Sequence, residues 1–234
     1  MTPPINRFIA ALQGIVTYDP AGEGGEALEI AESLLANGGF VEDEVAVMVG
    51  AKVGIDQVAA PLVRAVPCGL YFFQDLERLR EAAEKTCRLT HEAPADIAAA
   101  VGMALAVARL LLVKEVIALQ FVREIADGVR PLSHDAYVRV HGLIYPLRKE
   151  LPFLCSNFSQ PLELFRAALY LFLSCQACDL QTEAERLGLA DTPVLPLAHA
   201  LAGCLGTFCR LEKPSLRIVM IAEAFHASAA QAPE

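Results

Sequence analysis

Residues 90–113 read THEAPADIAAAVGMALAVARLLLV, and this stretch decides the fold. It opens with Thr90-His91, turns at Pro94, and is then apolar on nearly every side apart from Arg109. Asp96 falls in the first turn, where a carboxylate favours the positive end of the helix dipole. Alanine is the strongest helix former and lets neighbours approach closely, so a helix this rich in Ala and Leu is a central one, packed all round. The same composition raises a membrane span. Thr90, His91 and Glu92 flank one end, Arg109 interrupts, and Lys114-Glu115 close the other, so the apolar run falls short of the ~20 residues a bilayer requires. The expectation is a buried core helix over Asp96–Val113 and no membrane span.

Working outward toward the C-terminus, the helix is expected to continue past Val113 through Ala126, with Asp127-Gly128 breaking it. Ser133–Leu147 predicts a weaker helix carrying His134 and His141, and Leu151–Ser159 a loop in which Ser156-Asn157 supplies turn chemistry. Pro161–Cys178 is a long apolar helix and Leu180–Leu187 a short polar one. Asp191-Thr192-Pro193 opens a helix through Phe208 whose regular part starts after Pro196, and Ser215–His226 closes the fold. From Ala227 the residues look like a disordered tail.

Toward the N-terminus, Asp75–Leu89 is a charged amphipathic helix, and Ile55–Phe73 is compact and apolar, broken by Pro61 and Pro67, with Arg64 as its one cation. Val41–Val53 carries Glu42, Asp43 and Glu44 in its first turn, a dipole-matched, solvated start. Glu26–Leu35 is helical and stops at Asn37-Gly38-Gly39. The loop AGEGG (residues 21–25) precedes it, and Asn6–Val16 is the first helix, with Asn6 a candidate cap. No stretch alternates with period two. The class is therefore all-α, a single multi-helix domain over residues 1–226 with a tail at 227–234.

The 234 residues suffice for one sizeable core. A hydrophobic share of 55% against 20% charged, with a mean hydropathy of +0.42, marks a chain that is mostly buried or that hides surface against a partner. The net charge of −9 offers no basic stripe for a phosphate backbone, which excludes a nucleic-acid binder. Seven cysteines cannot all pair and no signal peptide leads the chain, so the thiols are expected to be reduced in a cytoplasmic protein.

Cys175-x-x-Cys178 and Cys204-x₄-Cys209 have the outline of a zinc site or, for the first pair, a redox motif. Their apolar helical context instead makes them small hydrophobes. His134, His141, His199 and His226 are dispersed and share no ligand spacing. His91 stands at the head of the central helix: it is either a substrate or partner contact, or a helix-entry residue bonded to a neighbouring loop, and the second is favoured. A buried Arg64 would require a carboxylate or backbone carbonyls, which favours a structural pin over a phosphate contact.

The order of segments resembles the ADP-ribosylglycohydrolase family, an all-α fold whose enzymes remove ADP-ribose from proteins or small molecules with a pair of magnesium ions. FIAALQGIVTYDP resembles the family's opening segment, with Asp19 in place of its aspartate. EALEIAESLLANGGF resembles the helix after the first metal motif. PLVRAVPCGLYF resembles the family's methionine-arginine-x-x-proline-leucine-glycine turn, aligning Arg64 and Pro67. LTHEAPADIAAAVGMALAVA resembles its threonine-histidine segment and central helix. PLELFRAALYLFL and LADTPVLPLAHALAGCLG resemble its last two core helices.

The departures fall on the metal motifs. Where the family has aspartate-aspartate-threonine, this chain has Gly22, Glu23 and Gly24, and where it has glycine-aspartate-threonine-aspartate-threonine, Leu189-Ala190-Asp191-Thr192-Pro193. The linker from Asp19 to the second helix is also far shorter than the family's. Magnesium demands near-octahedral oxygen ligands, and two ions together require several carboxylates. Glu23, Asp191 and Thr192 bring two negative charges against four positive; nothing in the spacing of Asp19 or Asp56 recruits them. No catalytic residue is assigned, and Asp19, Glu23, Asp191 and Thr192 stand as vestigial candidates, with no metal and no cofactor expected.

Retained core segments with stripped ligands imply a non-catalytic binding or scaffold protein of the family. The alternative is a hydrolase that removes ADP-ribose, or a related N- or O-glycosidic group, with an altered magnesium site. The surplus of apolar residues implies a protein partner or a homo-oligomer. The candidate surfaces are Tyr18–Gly25, Leu189–Pro196, and the 151–161 loop with Phe153, Leu154 and Phe158.

Overall fold

Thirteen helical segments, and no strand, make up the described residues of the computed structural model, which are 2–17, 24–50, 58–149, 158–175, 179–206 and 213–231. They are α1 (Ile5–Thr17), α2 (Gly24–Asn37), α3 (Glu42–Gly50), α4 (Ala60–Tyr71), α5 (Leu76–Arg88), α6 (Pro94–Leu112) and α7 (Ala118–Val129). The second half contains α8 (His134–His141), α9 (Ile144–Lys149), α10 (Pro161–Ser174), α11 (Leu180–Leu187), α12 (Val194–Leu205) and α13 (Leu216–Gln231).

The central helix is α6. Every residue from Ile97 to Ala108 is buried, because α4, α5, α7, α8, α10 and α12 pack around it. By length and composition it could cross a bilayer; here 78% of its apolar window lies inside the fold. Small residues set how closely its neighbours approach. A Cβ on Gly69 of α4 would stand 2.6 Å from the Ala104 carbonyl oxygen, closer than real contacts allow. The α1–α12 pair is tighter still, since a Cβ on Gly203 would meet the Ala10 and Ala11 backbone at 2.5 Å.

Several boundaries differ from those the sequence suggests, each for a physical reason. The central helix stops at Leu112 instead of running on to Ala126. Arg7 of α1 donates through Nη1 to the carbonyls of Leu110, Leu111 and Val113, at 3.2, 3.1 and 2.7 Å, and so caps that end. Asp127-Gly128 does not break α7, because buried Ile125, Ala126 and Val129 keep its apolar face continuous. The 133–147 stretch is two helices with a turn at Gly142-Leu143.

Neither Pro61 nor Pro67 breaks α4: the first sits in its opening turn, where the missing N–H is not required, and the second is accommodated inside. Pro196 likewise falls in the first turn of α12, which begins at Val194 and ends at Gly206 in a left-handed conformation. The last helix runs to Gln231, past the point where a tail was expected, since Ala227, Ala229 and Ala230 favour helix.

Candidate functional site

Arg64 anchors the candidate site. It is the sole cation of α4 and has no solvent exposure at all. A guanidinium taken out of water requires charge and hydrogen-bond partners from the fold, and three elements supply them. Glu26, in the first turn of α2, brings Oε2 to 3.2 Å from Arg64 Nε. Arg64 Nη1 donates to the Thr86 carbonyl of α5 at 3.3 Å, and Nη2 donates to Thr90 Oγ1 at 3.1 Å, at the entrance of α6. The arginine thereby pins α2, α4, α5 and the start of α6 to one another.

The chain of contacts goes one residue further. Thr90 Oγ1 lies 2.9 Å from His91 Nδ1, and the imidazole is half-buried. Burial pushes the His91 pKa below its ordinary value; Asp96 in the first turn of α6 opposes this and Arg64 adds to it. Burial raises the Asp96 carboxyl in turn, with His91 opposing. Cys87, whose Sγ faces the His91 carbonyl at 3.9 Å, is pushed by burial up to about 12 and is therefore no thiolate nucleophile.

The other candidates do not join this cluster. Asp191 is exposed in the turn between α11 and α12. Thr192 donates its hydroxyl to the Leu189 carbonyl at 2.7 Å and accepts the Val194 N–H at 3.4 Å, so its oxygen is used as a helix-start turn. Pro193 occupies the cap position of α12. Asp19, Glu23 and Asp56 lie outside the described residues, as do Cys178 and Cys209 of the cysteine pairs and Phe153 and Leu154 of the loop. Cys204 is buried and Cys175 half-buried. His134 and His141 flank the Tyr137 ring at 5.9 and 5.6 Å, His226 meets Phe8 edge-on, and His199 is sealed in α12.

Arg64 and His91 are both singled out by the sequence; Glu26 and Thr90, which join them to the fold, are not. A signal for Glu26 exists. It precedes buried Ile30 by four residues and buried Ser33 by seven, which puts it on the inward face of α2, whereas Glu32 points outward to Arg217. Thr90 carries no such signal, because its role depends on where α4 lies.

A family model for ADP-ribosylglycohydrolases matches residues 20–186. The chain belongs to the ADP-ribosylglycohydrolase family. The fold agrees: a solved structure titled "ADP-ribosylglycohydrolase-related protein complex" superposes with a TM-score of 0.70 and 19% identity, covering 96% of this chain and 98% of that one. No curated protein sequence matches the chain.

This ADP-ribosylglycohydrolase-family chain can be held against the magnesium pair that its family implies. The family match ends at Arg186, before Asp191 is reached. Among the described residues, no three His, Cys, Asp or Glu side chains gather as metal ligands. The described part of the segment that resembles the family's second metal motif supplies one carboxylate, the exposed Asp191, beside a Thr192 hydroxyl that bonds within its own turn.

Proposed function

We propose that the chain is a non-catalytic member of the ADP-ribosylglycohydrolase family that acts as a binding or scaffold protein. The observation that carries this is the fate of the Leu189–Pro193 segment. Its threonine and proline start a helix, as Thr192 bonded to the Leu189 carbonyl and Pro193 capping α12, and its one carboxylate stands in solvent. A dinuclear magnesium site assembled with such a segment lacks the charge to hold two ions together. The Arg64–Thr90–His91 corner, in contrast, is built to a fixed geometry. His91 is the candidate contact for a ligand or partner there, with Arg64 acting behind it.

Thermal melting with and without millimolar magnesium tests the proposal, alongside incubation with ADP-ribosylated protein. A ligand that binds only the folded state raises the melting temperature. The expected result is an unchanged melting curve and no release of ADP-ribose. A magnesium-dependent rise together with release of ADP-ribose would establish the alternative, a hydrolase with an altered metal site.

The partner of such a scaffold is a protein or a second copy of the chain, in a cytoplasm that keeps its thiols reduced. Support is narrower than the sequence suggests. Leu189, Val194, Leu195 and Pro196, expected on a contact surface, are buried in the chain's own core, and Phe158 is half-buried against it. Val47, Ile117, Tyr145, Leu216 and Met220 are the most exposed large hydrophobic side chains among the described residues. Sedimentation at micromolar concentration decides self-association: a 25 kDa species independent of concentration would end that part of the proposal.

A further inference from the structure

Thr90 sits between a donor that can only donate and a ring nitrogen that can do either. Arg64 has no acceptor atom, so in the 3.1 Å contact its Nη2 donates and Thr90 Oγ1 accepts. That leaves the hydroxyl with one proton to give. Within the chain Thr90 Oγ1 contacts Arg64 Nη2 and His91 Nδ1, the latter at 2.9 Å. With Arg64 on one lone pair, the hydroxyl either gives its proton to Nδ1 or accepts from Nδ1–H and turns its proton to solvent, and only the first keeps that proton bonded inside the fold. We infer that Thr90 is the positioning residue of His91: held by Arg64, its hydroxyl donates to Nδ1 and fixes the ring as the neutral tautomer with the proton on Nε2.

The arrangement has a consequence for recognition. Nε2 has no hydrogen-bond partner among the described residues, so the relay leaves one uncharged N–H donor at the entrance of α6, whose first turn carries Asp96. The matching ligand group is an acceptor oxygen, from a carbonyl, a hydroxyl or a phosphate. Arg64 stays fully buried and does not reach the ligand; it acts by fixing the direction in which Thr90 donates. In its ligand-side consequence the inference rests on the proposal that His91 is the contact residue. The tautomer itself does not.

Long-range ¹H–¹⁵N spectra of the ligand-free protein, with His91 assigned by the change His91→Gln, read the tautomer directly. The expected wild-type spectrum has Nδ1 as the unprotonated nitrogen and Nε2 as the protonated one, with a single tautomer populated. Thr90→Val keeps shape and removes the hydroxyl, and should release the ring to a mixture of tautomers; Thr90→Ser should restore the single form. Melting curves identify any variant that fails to fold, and Thr90 is exposed enough that neither should. A proton on Nδ1 in the wild type, or a Thr90→Val spectrum identical to it, overturns the relay. Adding ADP-ribose then separates the two claims. A displaced Nε2 resonance supports His91 as the contact, whereas an unmoved one removes that contact and leaves the tautomer result standing.

Discussion

Arg64 Nε lies 3.2 Å from Glu26 Oε2, and the two side chains are 0% and 5% exposed. A buried pair of this kind adds little over a well-packed apolar pair, but removing one member strands the other charge and costs about 3–5 kcal/mol. Glu26→Gln and Arg64→Met should therefore each lower the unfolding free energy by about that much in denaturant titrations. The double change Glu26→Gln, Arg64→Met should cost less than the sum, because no lone charge remains. Strict additivity would mean that the pair is not coupled.

The fold was legible because α6 writes its surroundings into its composition: only a helix with neighbours on all sides can be Ala and Leu on all faces. The elements that reached too far share one cause. The end of α6 is set by Arg7, which lies over a hundred positions earlier in the chain, and no local pattern announces that contact. Pro67 looks like a breaker in isolation, and only the packing of α4 against α6 keeps it helical. The candidate site was legible in its two end members and not in Thr90, whose partners come from α4 and from the next residue. The departure from the family's motif around Asp191 was legible from residue identity alone. That Thr192 is bonded within its own turn was not.

Helix α1 lies so close to α12 that the backbone itself fills the space a side chain would take. At Gly203 an added Cβ would meet the Ala10 carbonyl carbon at 2.5 Å, and at Gly14 the His199 carbonyl carbon at 2.7 Å. Backbone cannot rotate away as a side chain can, so Gly203→Ala should cost about 1–3 kcal/mol through overpacking. Gly25→Ala is the control. It lies in α2 with nothing within 4 Å of the new methyl, and should be neutral or stabilising by a few tenths to about 1 kcal/mol. Equal melting temperatures for the two variants would show that the helix pair can yield.

His199 gives the fold an acid limit. Burial lowers its pKa from 6.5 to about 4, with Asp179 opposing. The neutral form is the one the fold accepts, so in the interval between these values the unfolded chain binds more protons than the folded one. The stability this group contributes is complete above pH 6.5 and is lost as pH falls through the interval toward 4. At about 1.4 kcal/mol per pKa unit the full loss is roughly 3–4 kcal/mol. His199→Gln should flatten that part of the stability–pH curve. An unchanged slope between pH 6.5 and 4 would assign the acid sensitivity to other groups.

Asp191 and Thr192 are neighbours in sequence with opposite predicted sensitivities. Asp191 is exposed in its turn, and substitution at such a position usually moves stability by no more than about 0.5 kcal/mol. Asp191→Ala should fall in that range whether or not magnesium is present. Thr192 is half-buried, donates to the Leu189 carbonyl at 2.7 Å and accepts from Val194, so Thr192→Val takes the acceptor from the Val194 N–H at the start of α12, while the Leu189 carbonyl keeps only the Thr192 backbone N–H at 3.1 Å. The expected cost is about 1–2 kcal/mol, the range of a lost helix-start hydrogen bond. A metal-binding role reverses the pattern: Asp191→Ala would then remove a magnesium-dependent stabilisation that the wild type displays, and Thr192→Val would weaken it. Paired melts of the three proteins with and without magnesium separate a segment kept to begin a helix from one kept to hold an ion.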